Sequence, residues 1–491
     1  MNPSSIIVLN PAYHLKNDID RILLYSRKKT NNYNSAEWIS TIHPMQAAIL
    51  SLFTIPRPLK EQLELLSQKF NISIDKAEEL IIPYINNEDS FHTEFLSSKI
   101  FFPKNVLIDS SKVSLDSLSY DFNAEDLICN SIDLHFDRIR KAPLRMLFMM
   151  TNKCVTACKY CYADKQTAYK ELTTERILEL IHEAATLKMD YIDVIGGEIF
   201  CKKDWNIIIK ALVEANLTPN YISTKVPITE HIAQLLSETG YNNVVQISLD
   251  TLKDEILSKT IGVRNGYIEK TKKGIELLCK YGFKVQIDTI LTKYNVFEDE
   301  IRALYEYIRT IDNLVYWEIR VPMPSIYNRK TFYEIEADKS SLQNIITFIK
   351  ENIQPTSNIK IIISDRELID TFREGKRTDE NFRDGKCSVL QQNLFILPDG
   401  KVSLCEQLYW HPRFIIGDLR TQSIEEVWQS EKAKSMYVWH KEFYKNSNSK
   451  CVTCNIFDFC HQNHRKCWYR VLQAYGVEHW DYPDPRCEFA P

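Results

Sequence analysis

The sequence predicts an α/β chain with a partial (β/α)6 barrel at its centre. A winged-helix-like α+β module precedes the barrel and a cysteine-rich domain follows it. Three observations lead there. Strand-like and helix-like runs alternate through residues 140–365, giving six strands in βαβ order. The thirteen cysteines are uneven, with none before Cys129 and seven after Lys386. The opening 125 residues carry two short strand patterns and three helical ones, with no cysteine. A chain of 491 residues suits roughly three domains, expected at 1–125, 140–365 and 386–491.

In the first region, 5–9 and 21–25 read as strands. Residues 43–53 are apolar at helical spacing until Pro56 and Pro58 break the pattern. Residues 59–70 and 74–82 read as two further helices, with Asp75 near the start of the last and Pro83 at its end. In the second region the strands fall at 144–150, 191–195, 220–223, 244–249, 284–291 and 315–320. Helical text lies between them at 174–187, 204–215, 228–237, 267–281 and 298–308. The strands are largely apolar, as strands covered on both faces are, and a barrel of this kind carries its chemistry at their carboxyl ends. The third region has few long helical patterns, and its order is expected to depend on metal.

A net charge of −4 weighs against a nucleic-acid partner. No apolar run approaches the ~20 residues of a membrane span, and the first residues lack a basic stretch followed by an apolar one. The expected location is the cytoplasm, with no membrane partner. An odd number of cysteines without an export signal weighs against a disulfide framework. Clustered thiols in a reducing compartment more often hold metal.

The most informative stretch follows the first barrel strand: Thr151-Asn152-Lys153-Cys154-Val155-Thr156-Ala157-Cys158-Lys159-Tyr160-Cys161. Three thiolates can hold three irons of a [4Fe–4S] cube and leave the fourth iron open. This spacing on the first βα loop resembles the radical S-adenosylmethionine (SAM) superfamily, whose barrel is TIM-like. The resemblance implies that Cys154, Cys158 and Cys161 ligate a cluster and that the backbone of Tyr160 lies near the SAM adenine. It also implies that the Gly196-Gly197-Glu198 turn after the second strand receives the SAM amino group. Glycines admit close backbone approach, and a carboxylate can pair with an ammonium. Many relatives carry proline where this chain has Ile199. Ser223, Ser248 and Asp250, at the ends of the third and fourth strands, are the further candidates for SAM contacts. Lys225 closes a Ser223-Thr224-Lys225 run where relatives often have Thr-Asn-Gly.

A second set comprises Cys387, Cys405, Cys451, Cys454, Cys460, Cys467 and Cys487, with Gly400 five residues before Cys405. Its order resembles the SPASM extension of radical SAM enzymes, as does the connecting text at 415–419 and 424–428. The resemblance implies two auxiliary [4Fe–4S] clusters, three clusters in all. Cys451, Cys454, Cys460 and Cys487 would hold one, and Cys387, Cys405 and Cys467 the other. Six residues separate Cys460 from Cys467, where the usual pattern has three. No cysteine lies between Cys279 and Cys387, which leaves an open iron or a ligand other than cysteine. Structural zinc is the alternative for the Cys-x2-Cys pair. Cys279 and Cys201 read as structural, and His461 and His464 as hydrogen-bonding neighbours of cluster ligands. Glu406 reads as a surface acid, with a general-base role as the alternative.

The first module resembles the recognition domain of ribosomal-peptide maturases, which holds a precursor leader as an added strand. That resemblance implies a peptide maturase using SAM and reduced flavodoxin or ferredoxin to install a thioether or other cross-link in a precursor peptide. Two alternatives stand beside it: anaerobic formylglycine formation on a sulfatase, and a non-catalytic peptide-binding partner on the same scaffold.

Overall fold

The computed structural model describes residues 2–491 except 27–37, 96–97, 115–117, 136, 366–386, 388, 446, 463–465 and 488. Lys386, the expected start of the third domain, lies outside the described residues. The chain separates into two units, Met1–Ala142 and Pro143–Pro491.

The first unit opens with β1 (Ile7–Leu9), β2 (Tyr13–Asn17), β3 (Ile22–Ser26) and β4 (Ile39–Ile42). The strands β2, β3 and β4 form an antiparallel sheet with β3, buried along its whole length, in the middle. Three helices follow, α1 (Pro44–Leu52), α2 (Leu59–Phe70) and α3 (Ile74–Ile81), close to the expected spans. Their ends are chemically marked. His43 caps α1 by accepting from the Met45 N–H while the Gln46 side chain accepts from the His43 N–H, and Pro44 occupies the first turn. Asn71 closes α2 in the left-handed region at φ 51°, and Ser73 caps α3. A hairpin of β5 (Phe91–Phe95) and β6 (Ser98–Phe102) comes next, and β7 (Leu107–Asp109) returns to pair with β1. A small sheet, three helices and a hairpin make a winged-helix-like module. The sequence reading missed β2 and β4 to β7. They are short and half polar, as in the Phe-His-Thr-Glu-Phe of β5, so period-2 text there looks like loop.

The second unit is built on one ten-stranded sheet. Its parallel strands are β8 (Arg145–Thr151), β9 (Tyr191–Gly196), β10 (Tyr221–Thr224), β11 (Val244–Ser248), β12 (Lys284–Ile290), β13 (Leu314–Arg320) and β14 (Ile361–Ser364), side by side in chain order. The six expected strands are present, and β14 extends the run. On the free side of β8, β15 (Asn393–Ile396) pairs in parallel, followed by antiparallel β16 (Lys401–Ser403) and β17 (Ile415–Asp418). The cysteine-rich region therefore starts as a continuation of the barrel sheet. Helices Thr174–Thr186, Trp205–Glu214, Glu230–Glu238, Tyr267–Lys280 and Glu298–Ile308 cross between strands as expected. Asp254–Ile261 and Lys339–Phe348 are additional.

Packing overrides helix propensity at Gly274, inside Tyr267–Lys280. A Cβ there would stand 2.8 Å from the backbone nitrogen and 3.1 Å from the carbonyl oxygen of Ile228. In an exposed helix, Gly→Ala would stabilise by about 1 kcal/mol. Here Gly274→Ala is expected to lower the thermal midpoint, with an overpacking cost of about 1–3 kcal/mol, read by calorimetry of the purified protein.

Candidate functional site

Register decides which side chains share the barrel interior. The pairs Ser223↔Gln246, Gln286↔Gln246 and Asp288↔Ser248 place these residues on one face of neighbouring parallel strands. Tyr221 shares that face with Ser223, and Glu318 and Arg320 continue it through the pair Asp288↔Glu318. On the β8, β9 and β15 side the interior is apolar: Met149, Phe395, Tyr409 and Trp410 pack together, with Cys161 and Ile195 against them.

The cysteine-bearing loop leaves β8 where the ladder with β9 slips register between Met149 and Thr151. It is fastened along its length. The Ala157 and Lys159 N–H groups donate to the carbonyls of Ile261 and Thr260, which lie in the last turn of Asp254–Ile261, where helix carbonyls lack internal partners. Asn328 donates to the carbonyls of Cys161 and Ala163. Within the loop the Thr156 hydroxyl lies 3.2 Å from the sulfurs of both Cys154 and Cys158. Burial pushes the Cys158 thiol up, opposed by the nearby Lys225 ammonium and the Thr156 hydroxyl.

The Gly196-Gly197-Glu198 turn docks on this loop backbone to backbone. The Gly197 N–H donates to the Thr151 carbonyl and the Glu198 N–H to the Lys153 carbonyl, each at 2.8 Å. A Cβ on Gly197 would lie 2.0 Å from the Lys153 oxygen, and one on Gly196 would lie 2.4 Å from the Thr151 oxygen. The structure thus gives the glycines a reason of their own, the approach of the cysteine loop. Glu198 is buried. Its carboxylate accepts from the Thr224 hydroxyl at 2.7 Å and the Lys225 N–H at 2.8 Å, tying β9 to the end of β10.

Beside it lies a buried polar group around Lys225, to which the sequence reading assigned no role. Its ammonium donates to the Ser248 hydroxyl at 2.7 Å and lies 5.6 Å from the centre of the Tyr160 ring. The Tyr160 hydroxyl donates to Asp250 at 2.5 Å, and Asp250 also accepts from the Ile290 N–H. Burial opposes the lysine charge, but Cys158, Asp250 and Glu198 outweigh it and hold Lys225 above the usual lysine range. Tyr160, Glu198, Ser248 and Asp250 thus surround one cation next to Cys158. Ser223 stands one strand over, half-buried, on the interior face. A lysine where relatives often carry glycine was the available signal.

Further along the same face, Arg320 lies 2.9 Å from Asp288 and 3.0 Å from Glu318. Burial pushes the Asp288 carboxyl up to about 6, against the pull of Arg320. Glu406 corrects the sequence reading: it is not a surface acid. It is set into the protein within electrostatic reach of Arg320, Tyr162 and Tyr221. Burial pushes its carboxyl up, against the opposing pull of Gln407 and Arg320.

The seven cysteines of the second set gather in two places. Cys451, Cys454, Cys460 and Cys487 all line one cavity, with Phe457 and Lys466 in its wall. Cys387, Cys405 and Cys467 lie within electrostatic reach of one another, and burial pushes all three thiols up, Cys387 to about 11. Cys387 lines a second cavity that shares His461 and Lys466 with the first. His464 lies outside the described residues. None of the thirteen cysteines, all among the described residues, is joined in a disulfide. Among the described residues no three cysteine, histidine or carboxylate side chains converge closely enough for a single metal ion. Cys451, Cys454, Cys460 and Cys487 line one cavity instead, a donor set that suits a multi-iron cluster with thiolate ligands. The sequence reading did not anticipate Lys466 either.

Residues 148–308 match the radical SAM superfamily, and residues 387–455 match SPASM, an iron–sulfur cluster-binding domain. The chain thus carries a radical SAM domain followed by a SPASM domain. SAM and iron–sulfur clusters are the cofactors of these domains. A protein named probable GTP 3′,8-cyclase, from Methanosarcina acetivorans, is 28% identical over 207 residues, 40% of this chain and 59% of that protein. The mycofactocin maturase MftC of Mycolicibacterium smegmatis is 27% identical over 172 residues, 34% of this chain and 43% of that protein. Streptococcus suis SuiB, solved with its precursor peptide SuiA, shares the fold over 98% of this chain and 100% of that one, at a TM-score of 0.62 and 14% identity. The SAM-bound form of SuiB matches at 0.60 over the same shares and at the same identity. Among the described residues of this radical SAM/SPASM chain, no helix is long and apolar enough to cross a membrane.

Two outcomes follow from the geometry. Gly197→Ala is expected to displace the cysteine loop. Reconstituted protein would then lose iron and SAM binding while its far-ultraviolet dichroism stays unchanged. Asp288 holds its proton more tightly in the folded state than in the unfolded chain. Its stabilising contribution is therefore full below about pH 4 and lost as pH rises through about 6. The melting temperature of the wild type should fall relative to Asp288→Asn across that window and run parallel to it above.

Proposed function

We propose that this radical SAM/SPASM enzyme is a maturase of a ribosomally made precursor peptide, forming a thioether or other cross-link. The observation that carries the reading is a groove of about 560 Å³ in the first unit. Ile39, Ser40 and Thr41 of β4, an edge of its sheet, form one side, and Lys99 and Phe101 of the β6 hairpin strand form another. Phe101 is half exposed there. An edge strand offers unpaired backbone donors and acceptors to an extended peptide, and an aromatic wall offers a pocket for its side chains. The SuiB fold, captured elsewhere with a precursor peptide, supports the same partner.

In this reading Cys154, Cys158 and Cys161 hold the first cluster. Cys451, Cys454, Cys460 and Cys487 hold one auxiliary cluster, and Cys387, Cys405 and Cys467 the other, three in all. With SAM seated at that cluster and one electron delivered by reduced flavodoxin or ferredoxin, the pair would supply radical abstraction of hydrogen from the peptide, with methionine and 5′-deoxyadenosine as the products of SAM. The Gly196-Gly197-Glu198 turn, Tyr160, Ser223, Ser248 and Asp250 seat SAM, with Lys225 supplying the positive charge for its carboxylate. The apolar wall of Met149, Phe395 and Trp410 keeps water from the barrel interior. Glu406, half-buried and within electrostatic reach of Arg320, is the carboxylate that would accept the proton a peptide thiol releases. Clustered thiols outside disulfides suit the reducing cytoplasm.

Anaerobically reconstituted protein should hold about twelve irons per chain, as three four-iron clusters do, and form 5′-deoxyadenosine from SAM and dithionite. Replacing Cys154, Cys158 and Cys161 by alanine together should remove about four irons and all deoxyadenosine. Folded protein that never cleaves SAM would overturn catalysis and leave the binding-partner reading. Phe101→Asp should weaken binding of the precursor peptide, taken from an adjacent gene, by about tenfold or more by anisotropy. Deoxyadenosine formation without peptide should be unchanged.

A further inference from the structure

We propose that Lys466 holds a fixed positive charge between the two auxiliary cluster sites and sets their reduction potentials. The inference rests on the auxiliary-cluster assignment made under the proposed function.

Lys466 is 5% exposed and lines both cavities, the one ringed by Cys451, Cys454, Cys460 and Cys487 and the one that Cys387 enters. It directly precedes Cys467, at the end of the segment that is longer here than in the usual cysteine pattern. Its ammonium donates to the Tyr444 hydroxyl at 3.1 Å and lies 4.3 Å from the centre of the Trp468 ring and 5.1 Å from that of Tyr444. A phenol and two aromatic faces are neutral partners, and a buried ammonium needs a counter-charge.

The nearby carboxylates are already engaged. Asp484 accepts from Arg486 at 2.8 and 3.0 Å and from the Cys467 N–H at 2.9 Å. Asp481 accepts from the Ser447 hydroxyl. The other groups within electrostatic reach of Lys466 are the sulfurs of Cys451 and Cys460, both in the wall of the first cavity. As thiolate ligands of a cluster they would carry the negative charge that a buried ammonium calls for. The lysine is therefore built as the counter-ion of the cluster. Were filling space its purpose, an uncharged side chain of similar length would do so without the cost of burying charge. A cation in a low-dielectric wall stabilises the more negative, reduced state of a cluster and so raises its potential. Next to Cys467 as well, Lys466 acts on both auxiliary sites, most strongly on that of Cys451 and Cys460.

The test is a redox titration of full-length, anaerobically reconstituted protein followed by electron paramagnetic resonance, with iron counted in each sample. Lys466→Met should keep wild-type iron, while its auxiliary signals appear only at more negative potential. The signal of the Cys154, Cys158 and Cys161 cluster should not move. Lys466→Arg should return the auxiliary potentials towards wild type. Full iron with unmoved potentials in Lys466→Met overturns the proposal. So does loss of auxiliary iron in Lys466→Met, which makes the lysine a structural brace. Wild-type protein with only about four irons overturns the auxiliary-cluster assignment, and the role of the lysine with it.

Discussion

The second unit depends on one backbone junction, the docking of the Gly196-Gly197 turn against the loop that leaves β8. Two N–H groups of the turn reach the carbonyls of Thr151 and Lys153 at 2.8 Å, at a place where any Cβ would collide. The junction sets where the cysteine loop starts, and the carbonyls of Thr260 and Ile261 set where it runs. From there Glu198 ties the turn to β10 through Thr224 and the Lys225 backbone, which brings the Lys225 ammonium to Ser248. Each step is a short hydrogen bond between elements far apart in the chain. A small change at Gly197 would therefore travel to the polar group around Tyr160 and Asp250.

A common electrostatic plan links the cysteine sites. Buried thiols stay protonated unless positive charge stabilises the thiolate. Lys225 lies by Cys158, and Lys466 by Cys451 and Cys460. Arg320 lies within electrostatic reach of Glu406, the neighbour of Cys405 in the chain. In the proposed function iron would supply most of the charge that turns such thiols into ligands, and the cations would adjust what remains.

Much of the architecture was legible in the text. The six strands at 144–320 lie within one or two residues of their places, because strands covered on both faces are runs of Val, Ile and Leu that few other elements imitate. The helices at 59–70 and 298–308 coincide with their expected spans, since each is amphipathic and ends at a recognisable boundary. β5 and β6 were not legible, being short and exposed on alternate residues, with little to separate them from loop. Nor was the seat of Glu406, because a single acid after a cysteine carries no periodicity to say which way it faces.

The sequence by itself determined the class of the protein and the grouping of its thiols. Strand periodicity and cysteine spacing are local properties, written within a few residues of each other. Only the tertiary structure decided which polar residues meet. Lys225, Ser248, Asp250 and Tyr160 come from three segments of the chain, and Lys466 shares its cavity with cysteines up to 21 positions away. Their partnership follows from strand register and from burial, which exist only once the sheet has formed. The charge on a lysine costs little in water and becomes decisive only where the fold has removed the water.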